Sequence, residues 1–185
     1  MERILDYFEN HRQNNGLIGV LGGLNGQADY WSFIDWTKEW NATTGVPTAY
    51  KYGPLTMESL LYLMGLQAAI KVADFLGEDE LKEEYQVRAD QLARAIRKYC
   101  VGKDGMIQDG PGVEEYSQHC QVFGILTNVL SKTEVKINLL KTIRESDKYA
   151  QCSVAMSYYL FEALREVDIY QYTDKYWNIW RNMIA

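Results

Sequence analysis

A chain of 185 residues with a 47% hydrophobic share can bury one sizeable core, which sets the expectation of a single domain over residues 1–185. A net charge of −6 excludes the basic patch that a nucleic-acid backbone demands. No continuous apolar run is long enough to cross a bilayer, and no basic-then-apolar leader opens the chain to direct export, so neither membrane nor nucleic acid is an expected partner.

Glu2 to about Gln13 reads as a short amphipathic helix with Ile4, Leu5 and Phe8 on one face, stopped by Asn14-Asn15-Gly16. A long irregular stretch follows, up to Tyr52; structureless loops of that length usually carry function. Within it lies Tyr30-Trp31-Ser32-Phe33-Ile34-Asp35-Trp36, one carboxylate among bulky aromatics, with Gly22, Gly23 and Gly26 before it and Gly45, Pro47, Gly53 and Pro54 after. Aromatic faces beside a fixed acid suit a sugar, whose apolar faces stack and whose hydroxyls donate to the carboxylate. The same residues also fit an aromatic plug on a helical core, with Asp35 accepting from loop amides.

From about Leu55 to Leu76 the chain is apolar nearly all round, which predicts a buried helix with Thr56 as its N-cap and Gly77 as its stop. Glu78 to Val101 carries one apolar stripe (Leu81, Tyr85, Leu92, Ile96, Tyr99) and charge elsewhere, as a surface helix does, and the short Gly77 connection makes it antiparallel to its predecessor. The alternation repeats: a buried helix over 117–130, an amphipathic one over 133–145, a buried one over 153–167 with Tyr158 and Tyr159 in the core, and an amphipathic one over 172–184 with Tyr176, Trp177, Trp180 and Met183 inward. The expected fold is all-α, built of antiparallel helical hairpins in two layers. All inner helices then run the same way, so their lead-in loops, around 35–52, 109–116 and 150–153, gather at one end.

Three scattered cysteines, Cys100, Cys120 and Cys152, read as buried small hydrophobes, with no metal-ligand spacing and no sign of an organic cofactor. Cys120 and His119 are adjacent on a helix and point about 100° apart, which argues against a thiol–base pair between those two. Glu58 and Glu162 are acids on otherwise apolar helices; Glu58 lies near the mouth end, whereas Glu162 fits a structural ion pair. His119 falls at a helix N-terminus, which disfavours its protonated form.

The ordered set Trp31-x-Phe33-Ile34-Asp35-Trp36, Ala73-Asp74-Phe75-Leu76-Gly77, Tyr85-x-x-x-Ala89-x-x-Leu92, Asp104-Gly105, Ser117-Gln118-His119, Tyr158 to Leu164 and Trp180-x-x-Met183 resembles the six-hairpin catalytic domain of bacterial α-L-rhamnosidases and related (α/α)6 glycoside hydrolases. That resemblance implies a toroid of six helical hairpins, of which this chain is about half. It also implies inverting hydrolysis by an acid and a base roughly 6.5–9.5 Å apart. The family's acidic cluster precedes the Phe33–Trp36 segment and its general base follows the closing helix; neither has a counterpart between Met1 and Ala185, so both are expected outside the chain. The expected partner is a carbohydrate, a rhamnoside or related glycoside, held by Asp35, Trp36, Trp31, His119, Glu58 and Tyr116. A non-catalytic carbohydrate-binding or scaffold module is the alternative. Inner-helix faces left open by half a toroid imply contact with a second copy or with the remaining hairpins.

Overall fold

Helical periodicity is realised as seven α-helices, described in a computed structural model covering residues 2–27 and 29–184, with the side chains of 179, 180 and 182–184 excepted. They are α1 (Glu2–Glu9), α2 (Thr56–Leu76), α3 (Asp79–Tyr99), α4 (Gln118–Leu126), α5 (Lys132–Arg144), α6 (Ser157–Glu166) and α7 (Thr173–Ile184). Among the described residues the extended structure is limited to isolated bridges.

The inner layer is α2, α4 and α6. Helix α4 is central, packing against α2, α5 and α6, while α3 lies along α2 on the outside. Its central place follows from its sequence: every residue from Gln118 to Ile125 is buried, so no side of it faces water. Helix α3 buries only the stripe Tyr85, Ala89, Leu92, Ala95 and Ile96, which seats it against α2 and leaves its charges outside. Gly77 ends α2 in the left-handed region at φ +74°, a conformation open to glycine at no steric cost. In α5 the Ser131–Glu134 capping box fixes the start, and Val135, Leu139 and Ile143 face inward.

The boundaries and some side chains differ from the sequence expectation for identifiable reasons. Helix α1 stops at Glu9 because the chain turns back on itself, Gln13 N–H donating to the Leu17 carbonyl at 2.8 Å. Thr56 is the first helical residue of α2 and not its N-cap, which is Leu55. The carboxylate of Glu58, in the third position, instead accepts from the Leu55 N–H and closes that end. Helix α4 ends at Leu126 because the Thr127 hydroxyl donates back to the Phe123 carbonyl and Asn128 turns into the left-handed region at φ +54°. Helix α6 begins at Ser157 because Ser153 is engaged elsewhere, and Tyr158, expected in the core, is 68% exposed.

Tyr176 is buried as expected, but Trp177 is 45% exposed against Phe161, because successive helical residues cannot share one face. The expectation for Trp180 and Met183 falls on side chains outside the described set. Glu162 pairs with Arg165 at 2.8 Å on the surface. Helix α2, at 21 residues, is long and apolar enough by length and composition to cross a membrane, contrary to the reading from uninterrupted apolar runs. Here it is a core helix, with Tyr62, Leu63, Leu66 and Ala69 packed inside the protein.

Candidate functional site

The first and third lead-in loops and the start of α4 meet at Asp35. Its backbone is braced first: the Ile34 and Asp35 N–H groups both donate to the Gly45 carbonyl, at 2.9 and 3.2 Å. Gly45 holds φ +82°, and a Cβ there would collide with the Phe33 ring, so this turn requires glycine. Asp35 Oδ2 then lies 2.7 Å from His119 Nε2 at the start of α4 and accepts the Ser153 N–H at 2.8 Å. Asp35 Oδ1 accepts the Ser153 hydroxyl at 2.6 Å. Burial opposes ionisation of Asp35, yet His119 and Ser153 outweigh it and hold the carboxyl below its usual range.

His119 is fully buried, with its ring 4.7 Å from that of Trp40. Burial works against a charged imidazole, but Cys152 and Asp35 together push its pKa up to about 10, so the neutral form expected from the helix N-terminus gives way to a protonated one. The N-terminal dipole is worth ~1 kcal/mol and is outweighed by a carboxylate in direct contact. The second ring nitrogen, Nδ1, makes no full hydrogen bond.

Two further knots stiffen this end. Gln118 donates to the Tyr176 hydroxyl at 3.0 Å and to Thr142 at 3.3 Å, and accepts the Cys152 N–H at 3.1 Å. Asp109, fully buried, accepts the Ser117 hydroxyl at 2.6 Å, and burial raises its pKa. Ser117 in turn caps α4 by accepting the Cys120 N–H. A parallel bridge between Ser117 and Ala150 ties the second lead-in loop to the third.

Trp31, Phe33 and Trp36 form a cluster beside this buried network, with ring centroids 4.9, 5.2 and 5.8 Å apart. Trp36 is 58% exposed, and Trp31 and Phe33 are also open to solvent. Trp31 and Phe33 line a cavity of about 490 Å³ together with Tyr7, Tyr30 and Glu58. Among the described residues Glu58 is its lone carboxylate and Arg3 its lone cation. Burial pushes the Glu58 carboxyl up to about 7, against the hydrogen bonds it accepts from Ser32 and the Leu55 N–H.

Another cavity, of about 280 Å³, is lined by Trp40, Tyr116, Tyr149, Glu39, Asp109 and Glu115. The structure thus joins Asp35 directly to His119, puts Trp31 and Glu58 in one cavity, packs Trp36 against Trp31 and Phe33, and places Tyr116 in another cavity. Ser153, Cys152, Asp109 and Trp40 were not singled out from the sequence; the gathering of the three lead-in loops was the signal that contained them. Among the described residues no group of three or more His, Cys, Asp or Glu side chains is disposed to hold a metal ion.

An inner layer of α2, α4 and α6 with α3 and α5 packed against it, and lead-in loops gathered at one end, makes an all-helical array of hairpins. The chain belongs to the bacterial α-L-rhamnosidase six-hairpin glycosidase domain family, which it matches over residues 1–176. A crystal structure of a GH78-family rhamnosidase from Bacillus sp. GL1 superposes with a TM-score of 0.76 at 20% identity, over 97% of this chain and 18% of that one. A rhamnosidase from Klebsiella oxytoca, solved with rhamnose bound, gives 0.74 at 17% identity, over 99% of this chain and 32% of that one. The chain therefore spans a third or less of the length of these two structures. No curated protein matches it significantly.

Proposed function

We propose that this chain forms the sugar-binding core of a glycoside hydrolase acting on α-L-rhamnosides or related sugars by inverting acid/base hydrolysis, with the general acid and base supplied from outside its 185 residues. Its glycoside-hydrolase kinship rests on the family, and the Klebsiella oxytoca relative carries rhamnose. The observation that carries the site assignment is the aromatic-walled cavity with a single buried carboxyl. At about 490 Å³ it lies in the range of small-ligand sites. Trp31 and Phe33 offer faces for the apolar side of the ring, and Trp36, packed against both, extends the platform. Glu58, with its carboxyl near 7, both donates to and accepts from hydroxyls at neutral pH. Asp35 and His119 do not reach the sugar; they hold the segment that presents the tryptophans.

A non-catalytic carbohydrate-binding module is the second reading. It is favoured by one observation: both Asp35 oxygens are already occupied by Ser153 and His119, so that acid is not free for chemistry. Tryptophan fluorescence during titration with L-rhamnose tests the site. A saturable change that Trp31→Ala abolishes is expected, and no saturable change in the wild-type chain would refute the site. Assay of an aryl α-L-rhamnoside separates the two readings: turnover by the chain alone, lost in Glu58→Gln, would put the acid inside it.

A further inference from the structure

The cavity beside the tryptophans has a wall that residues 30–34 do not supply. Arg3, Ile4, Tyr7 and Phe8 of α1 line it as well, and Tyr7 meets Tyr30 with ring centroids 5.9 Å apart. The width of the cavity therefore depends on where α1 lies. Helix α1 is eight residues long, and Leu5 is its one buried side chain. A helix that short does not persist in water by itself, so ties to the rest of the fold must place it.

Those ties converge on Glu9. Arg12 grips both carboxylate oxygens, Nε donating to Oε1 and Nη2 to Oε2, each at 2.8 Å. The Tyr62 hydroxyl of α2 donates to Oε2 at 2.8 Å. Arg12 is anchored in turn by its donation to the Gly16 carbonyl at 3.0 Å and to the Arg88 carbonyl of α3 at 3.3 Å. Burial opposes a charge on Glu9, but Arg12 and Tyr62 outweigh it and hold the carboxyl below its usual range.

Glu9 does α1 no service as a helix. It is the last residue, where the helix dipole disfavours an anion, and no basic residue occupies that turn. Its carboxylate is satisfied by the latch alone. Tyr62 connects the latch to the cavity wall: its hydroxyl holds Glu9, while its ring stacks on Phe8 at 5.3 Å and an interplanar angle of 12°. Tyr62 itself is 2% exposed, so its reach to a ligand is through Phe8.

We infer that Glu9, Arg12 and Tyr62 are positioning residues of the sugar cavity, latching α1 at the distance from residues 30–34 that lets the two walls grip one monosaccharide. This rests on the carbohydrate reading of the cavity and adds to it the device that sets its width. A charge-assisted latch suits that task, because three hydrogen bonds on one carboxylate fix the end of α1 in direction as well as in distance.

The experiment titrates the intact native chain and its variants with L-rhamnose, followed by tryptophan fluorescence well below the unfolding midpoint. Tyr62→Phe keeps the ring against Phe8 and removes only the hydroxyl; its Kd is expected to rise roughly two- to tenfold. Glu9→Gln still offers an acceptor to Tyr62 and Arg12, so it is expected to lose less affinity than Glu9→Ala does. Val135→Ala on α5 removes core volume away from the latch and is expected to destabilise the fold while keeping the wild-type Kd. An unchanged Kd in folded Tyr62→Phe and Glu9→Ala overturns the inference and leaves the carbohydrate reading standing. Val135→Ala weakening rhamnose as much as they do also overturns it, since the effect would then be one of stability. A wild-type chain without a saturable change overturns the carbohydrate reading and the latch with it. If Tyr62→Phe does not fold, the order of wild type, Glu9→Gln and Glu9→Ala decides.

Discussion

Residues 31–36 pass between two environments that sort their side chains. Ile34 and Asp35 turn inward and vanish from solvent, while Trp31, Phe33 and Trp36 remain on the surface as a touching trio. Inward, each polar atom of Asp35 is matched to a donor from a distant part of the chain. Outward, three large rings stay partly open to solvent, Trp36 most of all, and touch one another. A fold gains from covering aromatics and from leaving acids in water. This segment does the reverse, and the hydrogen bonds on Asp35 are what hold it that way. The buried network supplies rigidity, and the exposed rings are free to meet a ligand.

The comparison breaks most directly at Asp35. Removing one partner of a buried charge pair costs about 3–5 kcal/mol, because the other is left without compensation. Asp35→Ala is therefore expected to lower the urea-unfolding free energy by about that amount. A loss under ~1 kcal/mol, in the range of surface pairs, would mean that the network is not what holds the segment.

Titration separates the two regions by pH. Glu58 has its folded-state carboxyl raised from 4.5 to about 7, so the folded protein binds its proton more tightly than the unfolded chain does. Stability is then greatest below 4.5 and falls as pH rises to about 7, by roughly 3 kcal/mol at most. His119 is raised from 6.5 to about 10, so its contribution is complete below 6.5 and is lost as pH climbs through 10. Asp35, held low, acts at the acid end, contributing above 3.8 and losing that contribution as pH falls below it. Urea midpoints measured across these windows should show Glu58→Gln flattening the 4.5–7 fall while leaving the 6.5–10 fall intact. Loss of both slopes together would show that the cavity and the buried network titrate as one unit.

The helices of this arrangement were legible in the sequence, and the sorting at residues 31–36 was not. Periodicity located α3 through the stripe Tyr85, Leu92 and Ile96, and Gly77 located the end of α2, because both are local effects of backbone geometry. Parallel inner helices then required the three loops to gather, which put Asp35 and His119 at the same end. Their contact joins residues 84 apart, and the Ser153 contact joins residues 118 apart. No local pattern encodes such pairings. The same blindness misplaced the start of α6, since Ser153 reads as a helix N-terminus until Asp35 is known to claim it.

Gly45 tests whether the backbone alone can maintain the sorting. Its carbonyl receives both Ile34 and Asp35, and a methyl at its Cα would press on the Phe33 ring from a left-handed backbone. Gly45→Ala is expected to cost about 1–3 kcal/mol through overpacking and strain. Because the Phe33 ring takes the hardest contact and the Asp35 carbonyl a milder one at 3.0 Å, rhamnose binding should weaken more than the Asp35–His119 pair, whose persistence would be seen as a largely unchanged stability slope above pH 6.5.

Trp36→Ala is the mildest change and the sharpest on function. The ring is more than half exposed, so its removal should leave the unfolding free energy within about 1 kcal/mol of wild type. As a platform packed on Trp31 it contributes one stacking face, worth ~0.5–1.5 kcal/mol, so rhamnose affinity should fall about two- to tenfold. A large stability loss with unchanged affinity would make the trio a structural plug after all. A loss of affinity with stability intact is the outcome that an exposed aromatic edge, held in place by a buried acid it does not touch, requires.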